Sequence, residues 1–427
     1  MKLKVHNIGR VESADIDLQG ITVVAGENGS GKSTVSKSLF AILEIFYDPR
    51  QSAEVQRRRS ESVLIRNWLV HGRIPRIRTN VSEIREQYYR AYGDVNIFID
   101  SIWRLLEKSG FDIVQCSNSM SERIIESIKE FFYAYQDIYE RSVEYYARYS
   151  AQIVLDSIFK EQINCLKEQN AGTIGYQNDS GYNEVSIIKS KIESIEESLF
   201  DSEKMKPIYI TTSDLMSIIG DYKRLYSAEK NGTISYVNSQ LTKLLMEEVN
   251  IKELIAEDYQ KLEEQKQVFD EIFNQVLEGE IYLDNNQLTY HDNWCDENIE
   301  LQNIASGMKI FLILKRLIHN GVFLEAICLI IDEPETNLHP EWQLILAHLL
   351  VLMNLRLQVK VYVNSHSPYF VRAMEYYANE YQALDKCNFY MMQSEIDAET
   401  GLFRSEEVTQ KLGVIYDKLA EPFNQIM

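Results

Sequence analysis

The stretch GENGSGKST, Gly26 to Thr34, constrains this chain more than any other, because it fits G-x-x-x-x-G-K-[ST] with Gly26, Gly31, Lys32 and Ser33 in place. An apolar run, Ile21 to Ala25, precedes it, and Val35, Leu39, Ile42 and Leu43 follow at helical spacing. Strand, loop and helix are predicted in that order, the context the motif needs. The glycines let backbone N–H groups from Gly26 through Glu27, Asn28, Gly29, Ser30 and Gly31 to Thr34 close around phosphate oxygens, and the helix N-terminus adds its dipole. Lys32 is expected to reach the β- and γ-phosphates of ATP, and Ser33 to give an oxygen to Mg²⁺. Average residue usage puts a chance match in a chain this long at about one or two in a hundred.

Three later stretches belong with the first. In LIIDEPETNLHP, Ile327 to Ile331 reads as a strand buried on both faces, with Asp332 and Glu333 at its carboxyl end. An acidic pair after a strand also serves as a helix cap. Beside a phosphate loop, the pair suits metal handling by Asp332 and proton acceptance from an attacking water by Glu333. His366, in NSHSP, follows a second buried strand, Val359 to Val363, and is the histidine expected to touch the γ-phosphate. In ASGMK, Ser306 and Gly307 open a helix whose N-terminus can bind a phosphate presented by another subunit. A Ser-Gly pair at a helix start is common, and this motif is the weakest of the four.

The order and spacing of the four stretches resemble those of an ABC-type ATPase head. The opening KLKVHNIGRVESADIDLQGITVVAGENGSGKST, the ASGMK signature and the DEPETNLHP run resemble the heads of the OLD and RecF-like families, relatives of SMC proteins. The resemblance covers roughly residues 1–45 and 205–427. It implies an α/β fold: an ABC-type P-loop NTPase head, a mixed sheet with flanking helices, interrupted by a compact, mainly α-helical insert. It also implies ATP and Mg²⁺ as cofactors, and a head dimer in which each ATP lies between one subunit's phosphate loop and the other's signature. Many members of that group are anti-phage defence ATPases that work with a nuclease or another toxic effector. The transporter form L-S-G-G-Q is absent, and a helical insert after the phosphate loop is foreign to transporter subunits.

Between the two parts of the head, residues 46–204 read as the insert. No proline occurs from Arg76 to Lys206, and Ile124, Ile128, Phe131, Tyr135 and Ile138 form an amphipathic stripe. Ile188, Ile192, Ile195 and Leu199 are expected to form another, with a loop at Gln169 to Asn183. Neither stripe lasts three heptads, which excludes a long coiled coil. A helical segment is expected over 240–278, Glu280 to Tyr290 as a hairpin turning at Asp284 to Asn286, and Pro207 to Thr211 as a strand. After His366 the tail is short for a TOPRIM nuclease domain; Glu395, Asp397 and Glu399 fall on an expected loop, so any effector is expected to be a separate chain.

Charge and composition narrow the partners. A formal net charge of −20 argues against a surface that binds nucleic acid throughout. Yet Arg50, Arg57, Arg58, Arg59, Arg66, Arg73, Arg76 and Arg78 cluster against only Glu54 and Glu61. Such a block is either a solvated face balancing an acidic protein or a patch for nucleic acid, a phosphorylated ligand or an acidic partner. The insert's tyrosines, among them Tyr88, Tyr89, Tyr92, Tyr133, Tyr135 and Tyr139, suit core packing or an interface. The five cysteines form no C-x-x-C pair, no apolar run spans a membrane, and no signal pattern opens the chain, so a soluble cytoplasmic protein is expected. Three functions remain open: a switch controlling an effector, a RecF-like DNA-repair head, and an assembly scaffold for which turnover hardly matters.

Overall fold

The computed structural model describes residues 1–165, 171–179, 181–197, 204–211, 236–247, 254–284, 287–293, 298–394 and 401–424. Two compact units divide the chain: Met1–Tyr47 with Gln152–Met427, and Asp48–Ala151. The first unit, the head, opens with β1 (Lys2–Ile8), β2 (Val11–Asp17), β3 (Ile21–Ala25) and α1 (Lys32–Tyr47). The second unit contains α2 (Pro49–His71), α3 (Val81–Arg90), α4 (Val95–Lys108), α5 (Asn118–Glu140) and the first part of α6 (Val143–Phe159). The head resumes with β4 (Gly172–Asn178), β5 (Gly181–Ile188), β6 (Lys191–Glu197), β7 (Lys206–Thr211), α7 (Tyr236–Met246) and α8 (Ala256–Phe273). There follow β8 (Gly279–Asp284), β9 (Gln287–Asp292), β10 (Asn298–Glu300), α9 (Ser306–His319), β11 (Ile327–Asp332) and α10 (Pro340–Leu357). The chain closes with β12 (Lys360–Ser365), α11 (Pro368–Glu380), β13 (Cys387–Ser394), β14 (Phe403–Glu407) and α12 (Gly413–Asn424).

The main sheet runs β6-β5-β4-β1-β2-β14-β13-β3-β12-β11-β7. From β13 to β7 every neighbour is parallel, and from β6 to β2 every neighbour is antiparallel. A continuous apolar composition drives the parallel part. Every residue of β3 and β11 is buried, as expected for strands covered on both faces. Ile310, Phe311, Leu314 and Leu317 of α9 and Leu346, Leu349, Leu350 and Met353 of α10 join these strands in one core. Because β12 lies between β3 and β11, and β7 pairs with β11, four strand ends come level: Asp332 pairs with Asn364 and with Thr211, and Ser365 pairs with Ala25. Ligand-binding loops of open α/β sheets gather at such carboxyl ends.

The helical unit has its own core of Ile65, Trp68, Ile84, Tyr88, Phe98, Ile102, Ile128, Phe131 and Tyr135. Trp68 stacks on Phe131 with ring centroids 4.3 Å apart, and Asp48 caps α2 by accepting from the Gln51 N–H at 3.0 Å. Of the tyrosines, Tyr88 and Tyr135 are buried in this core, whereas Tyr92 is 93% exposed and Tyr133 is 56% exposed.

The structure corrects the insert. Residues 172–197 are not helical: β4 pairs with β1, and β5 and β6 extend the head sheet from there, so the separate helical unit is Asp48–Ala151 and not 46–204. The spacing of Ile188, Ile192 and Ile195 mimics a helical stripe, but two positive-φ residues, Lys189 (φ 49) and Ser190 (φ 60), turn the chain between them. Ile187 then faces Ile192 across the hairpin, and Val185 faces Ile195. Leu199 lies outside the described residues. The loop expected at Gln169 to Asn183 instead contains β4 and the start of β5. Within 240–278 the described residues form two helices, α7 and α8, with 248–253 outside the described residues; β8 and β9 pair as the expected hairpin, and residues 285–286 also lie outside them. Glu395, Asp397 and Glu399 also lie outside them. No helix among the described residues is long and apolar enough to cross a membrane.

Candidate functional site

The phosphate loop joins β3 to α1, and its last glycine is dictated by space and backbone together. Gly31 has φ 89, and a Cβ there would meet Val11 Cγ2 at 2.8 Å. Lys32 is buried, and its Nζ donates to the carbonyls of Gly26 and Glu27, each at 2.8 Å. Burial lowers its pKa, while Glu333, Asp332, Glu335 and Glu27 pull the other way.

Both carboxyl oxygens of Asp332 are held. Oδ1 accepts from Asn364 Nδ2 at 2.8 Å, and Oδ2 accepts from the Tyr209 hydroxyl at 3.0 Å, itself 3.0 Å from Ser36 Oγ. Burial first, and then the Asp332 charge, push the Tyr209 hydroxyl far above its ordinary pKa, so it stays a donor. Glu333 turns away from the strand with φ 54, and its N–H donates to the Asn364 carbonyl at 3.0 Å. A non-glycine residue in the left-handed region costs on the order of 1 kcal/mol and marks positions where the fold imposes a direction on a side chain.

Glu335 reaches across to the strand exit of β12. It is 6% exposed, and its Oε1 accepts from Ser365 Oγ at 2.8 Å, His366 N at 2.8 Å and Ser367 N at 3.1 Å. His366 Nδ1 lies 3.2 Å from the same oxygen and 3.9 Å from Glu333 Oε1. Thus Glu335 fixes the backbone that presents His366.

Ser33, Asp332, Glu333, Tyr209, Thr211 and the lysines Lys37 and Lys160 line a cavity of about 350 Å³. The structure therefore brings Ser33, Asp332 and Glu333 together, with Lys32 and His366 tied to the same carboxylates. Ser306 and Gly307 are not among the residues lining this cavity. They open α9, where a Cβ on Gly307 would meet the Asn337 carbonyl at 2.7 Å, so the helix start packs on the loop that follows the acidic run. The donor set fits Mg²⁺: a hydroxyl and a carboxylate are hard oxygen ligands, as that ion prefers. Polar capacity remains at the site, since Ser30 Oγ and Asn364 Oδ1 are buried without a hydrogen-bond partner.

Sequence reasoning missed Glu335, Tyr209 and Asn364. The second glutamate of Asp332-Glu333-Pro334-Glu335 and the asparagine opening NSHSP were visible signals, whereas nothing local marks the tyrosine of PIYIT.

A phosphate-loop strand separated from the acidic strand by the histidine-bearing strand, with an antiparallel wing beyond, defines an ABC-type P-loop NTPase head. The chain belongs to the AAA ATPase domain family, whose profile matches residues 1–371, and it is an ATP-binding ATPase. Among solved structures it is similar to the SMC head domain from Thermotoga maritima, with TM-score 0.36 and 10% identity over 95% of this chain and 98% of that one. It is similar, too, to the Smc head domain with an extended coiled coil bound to the C-terminal domain of ScpA, from Pyrococcus furiosus (TM-score 0.41, 10% identity, 97% and 98% coverage). A third is the ADP conformation of MJ1267, an ATP-binding cassette of an ABC transporter (TM-score 0.32, 11% identity, 99% and 96% coverage). No curated protein matches the chain.

Proposed function

We propose that two copies of this head close around two ATP molecules and that this closure is a switch controlling a separate effector, a nuclease or toxin, in anti-phage defence. Within the site, Lys32 and the loop amides bind the phosphates, Ser33 and Asp332 hold Mg²⁺, and Glu333 takes the proton of the attacking water. Mg²⁺ when bound supplies charge neutralisation at the β- and γ-phosphates. His366, positioned by Glu335, contacts the terminal phosphate. One observation supports the composite site: Ser306 and Gly307 are not among the residues lining the cavity of their own chain, as is expected if a signature serves the nucleotide of a second copy. The effector and the defence role rest on resemblance of the motifs to OLD-type heads.

Ser306→Arg tests this. ATP binding should survive, while turnover and ATP-dependent association in light scattering should both fall away. Hydrolysis at the wild-type rate in this variant would show that the signature is not used.

A second reading, a RecF-like head that clamps DNA, is favoured by the exposure of Arg59, Arg66, Arg73, Arg76 and Arg78. It requires DNA binding that weakens steeply with salt.

A further inference from the structure

The cavity shared by Ser33, Asp332 and Glu333 is lined by a charge that the four motifs do not account for. Helix α6 ends at Phe159, and the next residue, Lys160, lines the cavity that Ser33, Asp332 and Glu333 share. Lys160 has φ 53 and Glu161 φ 63, so two successive side-chain-bearing residues occupy the left-handed region. The Glu161 N–H donates to the Asp156 carbonyl at 3.3 Å, the bond that closes a helix with a left-handed residue at the position of Lys160. Glycine is the usual occupant of that position, because it alone adopts the conformation without a Cβ penalty. Here a lysine holds it. Nor is the turn loose: the Ile163 carbonyl accepts from the Gly9 N–H at 2.8 Å, the Cys165 N–H donates to the Asn7 carbonyl at 3.1 Å, and Ser190 Oγ accepts from the Ile163 N–H at 2.9 Å. The chain beyond the turn is thereby pinned to β1 and its following turn. A strained backbone held by its surroundings, with a lysine among the residues lining the cavity, is the pattern found where strain serves function.

We propose that Lys160 contacts the terminal phosphate of ATP bound to the phosphate loop of its own chain, and so discriminates ATP from ADP. The inference rests on the nucleotide site described above, and ADP serves as its internal control, because ADP keeps the phosphates cradled by the loop and lacks only the terminal one. Lys160→Gly removes the cation and at the same time relaxes the backbone, so loss of folding does not confound it.

Full-length protein titrated with N-methylanthraniloyl-labelled ADP and ATPγS in the presence of Mg²⁺ gives the readout. Lys160→Gly should bind labelled ADP within about two-fold of wild type and labelled ATPγS about ten- to a hundred-fold more weakly, the value of a charge-assisted hydrogen bond. Its melting temperature should equal or exceed that of wild type, and Lys160→Arg should recover most of the ATPγS affinity. An unchanged ratio of the two affinities in Lys160→Gly would overturn the proposal, as would an equal loss for both nucleotides. Wild-type protein that bound neither would overturn the nucleotide site itself.

Discussion

Glu335 offers the sharpest test of how this site is built, because two glutamates two positions apart are predicted to behave in opposite ways. In Glu335→Ala, Ser365 Oγ and the N–H groups of His366 and Ser367 all lose the acceptor they share. Breaking a buried charged network by removing one partner costs about 3–5 kcal/mol. Glu335→Gln is milder. Its carbonyl oxygen can replace Oε1, but its NH₂ must sit where Oε2 is buried without any hydrogen-bond partner. An unsatisfied buried donor costs about 1–3 kcal/mol, which sets the expected loss for that variant. Urea denaturation measures both losses as shifts in midpoint at constant slope. ATPase activity should fall in the same order, because the loop presenting His366 loosens. Unfolding free energy within 1 kcal/mol of wild type for Glu335→Ala, or unchanged turnover, would refute the idea that this carboxylate organises the histidine loop.

Glu333→Gln should leave stability almost untouched, since the Glu333 side chain is 38% exposed and glutamine keeps its size and much of its polarity. Turnover should drop by about 10²- to 10⁴-fold, the usual worth of a general base, while the ATP-engaged dimer accumulates in light scattering; a rate near wild type would reject the assignment. Lys32→Ala should abolish nucleotide binding in a fluorescence titration, because no other cation lies within GENGSGKST. Replacing Arg57, Arg58 and Arg59 by Ala should weaken binding to DNA or an acidic partner with ATPase activity largely kept. Arg57 and Arg58 already pair with Glu54 at 2.6 and 2.8 Å, so Arg59 should account for most of any effect; no change in gel shift or pull-down would leave the block as a solvated face.

What the sequence revealed was whatever is contiguous along the chain. The phosphate loop, the buried strand ending at Asp332 and the strand leading to His366 each carry their signal within a dozen residues: an apolar run, then a polar turn. The hairpin at β8 and β9 was legible for the same reason. What escaped depends on residues brought together by the sheet. Glu335 meets the His366 N–H across a sequence separation of 31, and Tyr209 reaches Asp332 across 123. No window of sequence contains either pair. The error at 172–197 has a different origin: isoleucines spaced by four and three satisfy a helical period, and only the turn at Lys189 and Ser190 breaks it. Lysine is no turn signal by type, and serine is a weaker one than the glycine or asparagine usual at positive φ.

Asn364 shows how strand register, and not side-chain adaptability, sets the catalytic geometry. Its position opposite Asp332 is fixed by the parallel pairing of β11 with β12. From there its side-chain Nδ2 donates to Asp332 Oδ1 at 2.8 Å, while its carbonyl accepts the Glu333 N–H at 3.0 Å. One residue thus holds the carboxylate assigned to the metal and the backbone of the glutamate assigned to the water. The amide has only one workable orientation, since rotating it would set Oδ1 against the Asp332 carboxylate, two acceptors with no proton between them. Glu335 then ties the next three residues of the same strand exit. With both carboxylates referenced to β12, and β12 paired directly to β3, the strand that leads into the phosphate loop, the separation between that loop and the two carboxylates is set by a sheet buried on both faces. Such a sheet does not adjust residue by residue, and Glu335 extends that rigidity to the backbone of His366 on the loop beyond it.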